Sequence, residues 1–122
     1  MVDSIIIFSD RCPVGTNSAV EAIRMGAGLV ALGEAVPTKV VLSGDGVLLM
    51  AKAADPKAVE QDTIDSAMEM AELSDLEIYI VKEALADAGM QQEDLRSYAR
   101  LNIVSQAEFS SMVSEATTTF RL

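Results

Sequence analysis

The sequence predicts an α/β fold: a single-domain, three-layer α/β/α sandwich built on a mainly parallel sheet of about five strands. Three observations carry that expectation. The chain opens with a bare apolar run, Ile5-Ile6-Ile7-Phe8, followed by the polar turn Ser9-Asp10-Arg11-Cys12-Pro13-Val14-Gly15 and a helical pattern from Thr16. The same unit returns at Thr38-Lys39-Val40-Val41-Leu42, which runs into Ser43-Gly44-Asp45-Gly46 and a second helical start at Val47. Strand-like and helix-like segments then alternate to the end of the chain, with no linker, solenoid-length repeat or low-complexity tract. The 122 residues are expected to form one domain, 1–122, large enough to bury a core without disulfides or metals.

The elements follow in order from local chemistry. Three consecutive β-branched residues and a Phe, set between turn formers, read as a strand buried on both faces. In the first helix, expected over 16–32, Ala19, Val20, Ile23, Ala27, Val30 and Ala31 recur at helical spacing, and Gly33 stands where a left-handed cap belongs. Gly26 and Gly28 inside that helix cost stability unless another backbone approaches closely. With Ala31 they spell the dinucleotide fingerprint G-x-G-x-x-A, which needs its first glycine at a strand end and here has it in mid-helix. Close helix packing is therefore expected of them, and no cofactor.

After the second strand, Val47-Leu48-Leu49-Met50-Ala51 start a helix. Asp55 and Pro56 mark a stop and a restart, Asp55 as N-cap and Pro56 at the first helical position. Ile64, Ala67, Met68 and Ala71 place a third helix, with Asp65, Glu69 and Glu72 on its solvated face. Residues 77–81 read as the third strand and 82–88 as a short helix ended by Gly89. Residues 90–95 form a loop or a single turn, and 100–104 a fourth strand. Ser105 and Glu108 have the spacing of a capping box, opening a helix that carries Phe109, Met112, Val113 and Ala116. The β-branched run Thr117-Thr118-Thr119-Phe120 argues for a last strand. Met50, Met68, Met70 and Met90, in a chain with three Phe and two Tyr, suggest a core or interface filled by thioethers.

Composition excludes several functions. The formal net charge is -10 and the pI near 4.2, so the protein's field repels phosphate backbones and anionic lipid; neither nucleic-acid nor membrane binding is expected. Without histidine, one chain cannot build Ser-His-Asp or Cys-His nucleophiles or a histidine metal site. With one cysteine there is no internal disulfide and no Cys-x-x-Cys pair, and a lone thiol fits a reducing compartment. Met1-Val2-Asp3-Ser4 lacks a basic leader region and no apolar run reaches the length of a membrane span, so a cytoplasmic location is expected. Hydrophobic residues make up 50% of the chain and mean hydropathy is +0.28, which suggests apolar surface covered by partner subunits.

Cys12 is the candidate nucleophile. A thiol ahead of a helix N-terminus, with Arg11 adjacent, is held toward the thiolate that attacks persulfides and disulfides. The alternative is a small, inert residue in a tight loop. Gly15 and Thr16, where that loop turns into the helix, are binding candidates with Arg11. The Asp45-Gly46 turn offers N-H groups to an anion, although the Asp45 carboxylate would repel one unless it caps its own helix. Lys82, just beyond the third strand, supplies a cation at the same rim or is simply solvated. The acidic series Glu60, Asp62, Asp65, Glu69 and Glu72 has no accompanying ligand residue and reads as solvated surface, so no metal is expected.

Taken together, these features resemble the DsrE/DsrF-like sulfur-relay family, and most closely its DsrF or TusC branch. The carrying residues are Ile5-Ile6-Ile7-Phe8 with Pro13-Val14-Gly15-Thr16 and Glu21-Ala22; Asp45-Gly46-Val47 with Leu48-Leu49-Met50; Ala84-Leu85 with 89–95; and the ending Phe120-Arg121-Leu122. The resemblance implies a small α/β subunit of trimers or hexamers, often of several related subunits. Such proteins pass sulfane sulfur as a cysteine persulfide, toward tRNA thiolation or within sulfur oxidation, through a small carrier protein. It also implies a persulfide-bearing cysteine after the third strand, a position that here falls on Ile80 or Val81. An aliphatic side chain holds no persulfide, which matches the non-catalytic branch. The reading is therefore an accessory subunit partnered by DsrE-like and DsrH-like subunits or by itself. A homo-oligomeric sulfur carrier or sulfurtransferase using Cys12 is the alternative. A third reading is a flavodoxin-like or receiver-like module binding a small anion or other ligand, although Ile78-Tyr79-Ile80-Val81 offers no phosphoacceptor aspartate.

Overall fold

The apolar opening run takes the interior position its composition demands, with a strand hydrogen-bonded on each side. The computed structural model describes residues 4–10, 18–32, 37–50, 61–95 and 98–122. In it β1 (Ile5–Ser9) leads to α1 (Ser18–Leu32), β2 (Thr38–Leu42), a 3₁₀ segment (Gly44–Met50) and α2 (Gln61–Ser74). Then come β3 (Glu77–Val81), α3 (Lys82–Asp87), a 3₁₀ turn (Gln92–Asp94), β4 (Leu101–Val104), α4 (Gln106–Glu115) and β5 (Thr118–Arg121). All five strands are parallel, in the order β4-β3-β2-β1-β5.

Register decides which side chains share a face. Ile7 stands beside Val40 and Phe120, and Val40 beside Ile78; one residue on, Phe8 stands beside Val41 and Arg121, and Val41 beside Tyr79. Side chains alternate along a strand, so these two rows lie on opposite faces. α1 covers the first face: a Cβ on Gly26 would lie 2.6 Å from Val40 Cγ2 and 3.1 Å from Leu76 Cδ1. α4 covers the second, where the Phe8 and Phe109 rings meet edge to face at 5.6 Å and 71°. The three layers expected from the sequence are therefore present. Ile6, Ile7, Val40, Val41, Leu42, Ile78 and Ile80 are buried between them.

Both helices that flank β3 end in the same way. Beyond α2, Leu76 N-H donates to Ala71 O and Asp75 N-H to Glu72 O, with Asp75 at φ 56. Beyond α3, Met90 N-H donates to Leu85 O and Gly89 N-H to Ala86 O, with Gly89 at φ 72. Each is a Schellman cap, in which one left-handed residue lets two terminal carbonyls find donors. Gly89 has the role its position predicts; Asp75 fills the same role with a side chain present. The capping box at Ser105 and Glu108 is formed in both directions.

Three expectations need correction or bounding. The segment after β2 is 3₁₀ rather than α through Met50, and Val47, Leu49 and Met50 are buried along it. Gly28 has nothing within 4 Å of a Cβ, so close packing explains Gly26 alone, and there the neighbours are side chains rather than backbone. Gly33 and the Asp55-Pro56 restart lie outside the described residues.

β4 is tied to the body by Tyr98, whose hydroxyl donates to Leu76 O at 2.6 Å. Burial foremost, then the Asp75 and Glu72 carboxylates, push the Tyr98 pKa up to about 12, against a smaller opposing effect of Arg100. A folded-state pKa above the ordinary 10.0 means the neutral phenol stabilises the fold fully below pH 10.0, and that contribution disappears as pH rises toward 12. The urea midpoint is expected to fall across this alkaline window, and Tyr98→Phe to flatten the slope while lowering stability at neutral pH by about 1 kcal/mol. The two α1 glycines give opposite expectations. Gly28→Ala should stabilise by roughly 0.5–1 kcal/mol through helix propensity, whereas Gly26→Ala should destabilise by about 1–2 kcal/mol, both read from thermal melts.

Candidate functional site at the strand carboxyl ends

In parallel sheets the crevice beyond the strand carboxyl ends collects ligands, most often where the winding reverses. β1 connects to α1 on one face, whereas β5 is reached from α4 on the other, so the reversal lies between β1 and β5. Asp10, just past β1, and Arg121, at the end of β5, stand at that crevice and are joined by a 2.8 Å ion pair. Their side chains are 37% and 65% exposed, so the pair fixes local charge more than it stabilises the fold. Leu122 N-H donates to Phe8 O at 3.0 Å and carries the β1–β5 ladder to this edge.

On the other side of β1, the turn after β2 lies flat against the β1 backbone. Ser43 N-H donates to Ser9 O at 3.1 Å, and Gly46 N-H donates to Ser43 O at 2.9 Å. Gly44 has φ 48, and a Cβ on it would lie 3.2 Å from Asp10 Cβ and Asp10 O. A Cβ on Gly46 would lie 2.5 Å from Ser9 O, inside any allowed contact. Glycine at 46 is thus required by packing. Ser9 is fully buried beneath this turn, and among the described residues its hydroxyl has no hydrogen-bond partner.

β3 ends differently. Val81 is both the last residue of the strand and the N-cap of α3, with extended backbone and no side-chain hydrogen bond into the helix. Val81 and Ile80 are 1% and 0% exposed. Lys82 follows, exposed, on the first turn of α3, and α3 packs on the 3₁₀ segment that holds Gly46. Glu83 reaches across to α4, where Gln106 N-H donates to its Oε1 and Oε2 at 3.1 and 3.0 Å. With Ser105 and Glu108 also capping, the first turn of α4 already faces protein carboxylates and offers no place to an anion.

Of the residues singled out from the sequence, the structure brings Gly46 and Lys82 to one rim and places Asp45 in the first turn of the 3₁₀ segment. Arg11, Cys12, Gly15 and Thr16 lie outside the described residues. Ser9, the Asp10–Arg121 pair and Glu83 were not among the candidates. Only the turn-forming types of Ser9 and Asp10 signalled anything there. Among the described residues, no group of His, Cys, Asp or Glu is arranged to hold a metal ion. Among the described residues, the rim therefore offers the Arg121 guanidinium compensated by Asp10, the exposed Lys82 ammonium and the buried Ser9 and Ser43 side chains, and β3 ends in an aliphatic residue.

Comparison with known proteins supplies the family. A model of the DsrE/DsrF-like family matches residues 3–121. Curated proteins provide no match. Among solved structures, the ychN protein of E. coli is similar with a TM-score of 0.77 at 16% identity, covering 100% of both chains. A protein of unknown function from Methanobacterium thermoautotrophicum has a TM-score of 0.68 at 17% identity, covering 98% of this chain and 99% of its own. At those identities the likeness is one of fold. The rim geometry itself is testable: Gly46→Ala should destabilise the protein by about 2–3 kcal/mol in denaturant titrations, because Ser9 O must move to admit the methyl group.

Proposed function

Because the chain belongs to the DsrE/DsrF-like family, we propose that it is an accessory subunit of a sulfur-relay complex, in the manner of the DsrF or TusC branch, with a related subunit supplying the persulfide cysteine. Val81 carries this reading. The sequence resemblance puts the family's persulfide cysteine at Ile80 or Val81, and Val81 occupies a helix N-cap where a thiol would be held toward thiolate. Persulfide transfer requires an acceptor thiolate to attack the outer sulfur while the S-S bond breaks and the donor sulfur leaves as thiolate, with no net oxidation or reduction. Buried aliphatic side chains supply neither nucleophile nor leaving group.

Membership of an assembly is supported by the sheet itself. On the face that α4 covers, Lys39, Glu77 and Tyr79 are half-buried and Asn102 is exposed, whereas parallel sheets are ordinarily covered on both faces. The partners proposed are DsrE-like and DsrH-like subunits, or further copies forming a trimer or hexamer, together with a small sulfur-carrier protein. The 122 residues act as one unit. The lone cysteine favours a reducing cytoplasm; among the described residues, no helix is long and apolar enough to cross a membrane. Cys12 supports a second reading, a homo-oligomeric carrier, because it is the sole thiol and belongs to the segment that leaves β1 at this rim.

Native mass spectrometry after incubation with a polysulfide distinguishes these readings. The accessory role predicts an oligomer, alone or with a DsrE-like partner, in which added sulfur resides on the partner. Sulfur added to this chain and lost in Cys12→Ser would transfer the assignment to the carrier role. A strict monomer that binds no DsrE-like partner at micromolar concentration would overturn the accessory role.

A further inference from the structure

At the opposite, amino-terminal end of the sheet, a cavity of 330 Å³ opens between the start of β1, the start of β2 and the end of α4. Its volume is at the low end for ligand sites, the size of a single amino acid with some water. Ile6, Pro37, Met112 and Ala116 make an apolar wall, and three polar side chains stand around it. Ser4 Oγ accepts from Thr117 N-H at 3.3 Å, which leaves its own O-H free to donate. The Lys39 ammonium lies 5.4 Å from the centre of the Tyr79 ring. Glu115 is the last residue of α4, a helix with no basic residue in its last turn.

The two charges do not neutralise each other. Among the described residues, neither Lys39 nor Glu115 forms an ion pair, although both line the cavity. Glu115 also stands at the negative end of the helix dipole, where a carboxylate is disfavoured and a cation is attracted. An anion alone would meet the field of a chain carrying -10 net charge. A zwitterion carries no net charge and fits both groups.

We propose that this cavity binds a free α-amino acid with an apolar side chain. Its carboxylate meets Lys39 and the Ser4 hydroxyl, its ammonium meets Glu115 and the end of α4, and its side chain lies on Ile6, Met112 and Ala116. The site is remote from the carboxyl-end rim but shares Lys39 with the sheet face proposed above for a partner, so the titration is done on the chain alone, where a failure of amino-acid binding leaves the sulfur-relay reading untouched.

Calorimetric titration of the full chain with leucine, methionine and phenylalanine, and with leucinamide and N-acetyl-leucine, tests it. At least one free amino acid should bind saturably, and each blocked derivative of leucine should bind at least about tenfold more weakly than leucine. Lys39→Met, which keeps the apolar stem, should make leucine and leucinamide equivalent; Glu115→Gln should do the same for leucine and N-acetyl-leucine. Absence of saturable binding by all three amino acids up to about 10 mM overturns the proposal. So does equal binding of leucine and both derivatives by the unmodified protein, an outcome that needs no variant to fold.

Discussion

The approach of Gly46 to the carbonyl of Ser9 is the contact on which the rim depends. It lets the turn after β2 rest on the β1 backbone, with Ser43 N-H bonded to Ser9 O. That seals the buried end of the two central strands. Any side chain at 46 would lift the turn by displacing backbone, which has nowhere to move in a close-packed interior. Ser9 is buried as a consequence, and its hydroxyl goes without a partner among the described residues.

The two faces of the sheet are finished to different degrees. α1 and α2 pack side by side on one face, and the Gly26 notch lets α1 settle onto Val40 and Leu76. On the other, the Phe8–Phe109 contact anchors α4 near β1. Farther along, the Lys39 ammonium stands over the Tyr79 ring and Tyr79 O-H donates to Glu77 Oε2, so polar groups take over on this face away from the Phe8–Phe109 contact. A sheet face that mixes a cation, a phenol and a carboxylate tolerates water, yet it can also be covered by a polar partner.

How much of this was readable in the chain depends on the range of the interaction responsible. The strands were readable because runs such as Ile5-Ile6-Ile7 and Glu77-Ile78-Tyr79-Ile80-Val81 combine β-branching with burial on both faces; the third was bounded correctly at both ends. Gly89 and the Ser105–Glu108 box were readable because caps are local. The Asp75 cap was not, since a left-handed aspartate looks like any other helix-end acid. An apolar run such as Val47-Leu48-Leu49-Met50 fits a spacing of three or of four, so its sequence does not separate the observed 3₁₀ segment from α. Strand order was out of reach, and with it the pairing of Asp10 with Arg121 across 111 positions. Of the candidate site, Gly46 and Lys82 stand at the expected rim, while the reactivity expected of Cys12 concerns a segment outside the described residues.

The end of β3 shows what separates a scaffold from its chemistry. Strand and helix join there without a loop, Val81 serving both. Such a junction aims the residue's surroundings, the first N-H groups of α3, at whatever side chain occupies the N-cap. An oxygen or sulfur there would be engaged by those donors; a valine leaves them unused and turns inward instead. Removing the reactive atom costs the fold little, because the aliphatic replacement gains burial against the core, about 25 cal/mol per Å² of apolar surface removed from water. The same junction therefore accepts an aliphatic side chain without loss of packing. The junction at Val81 combines an extended N-cap backbone with a side chain packed into the core, and sets the charged groups Lys82 and Glu83 just outside it, Glu83 already committed to holding α4.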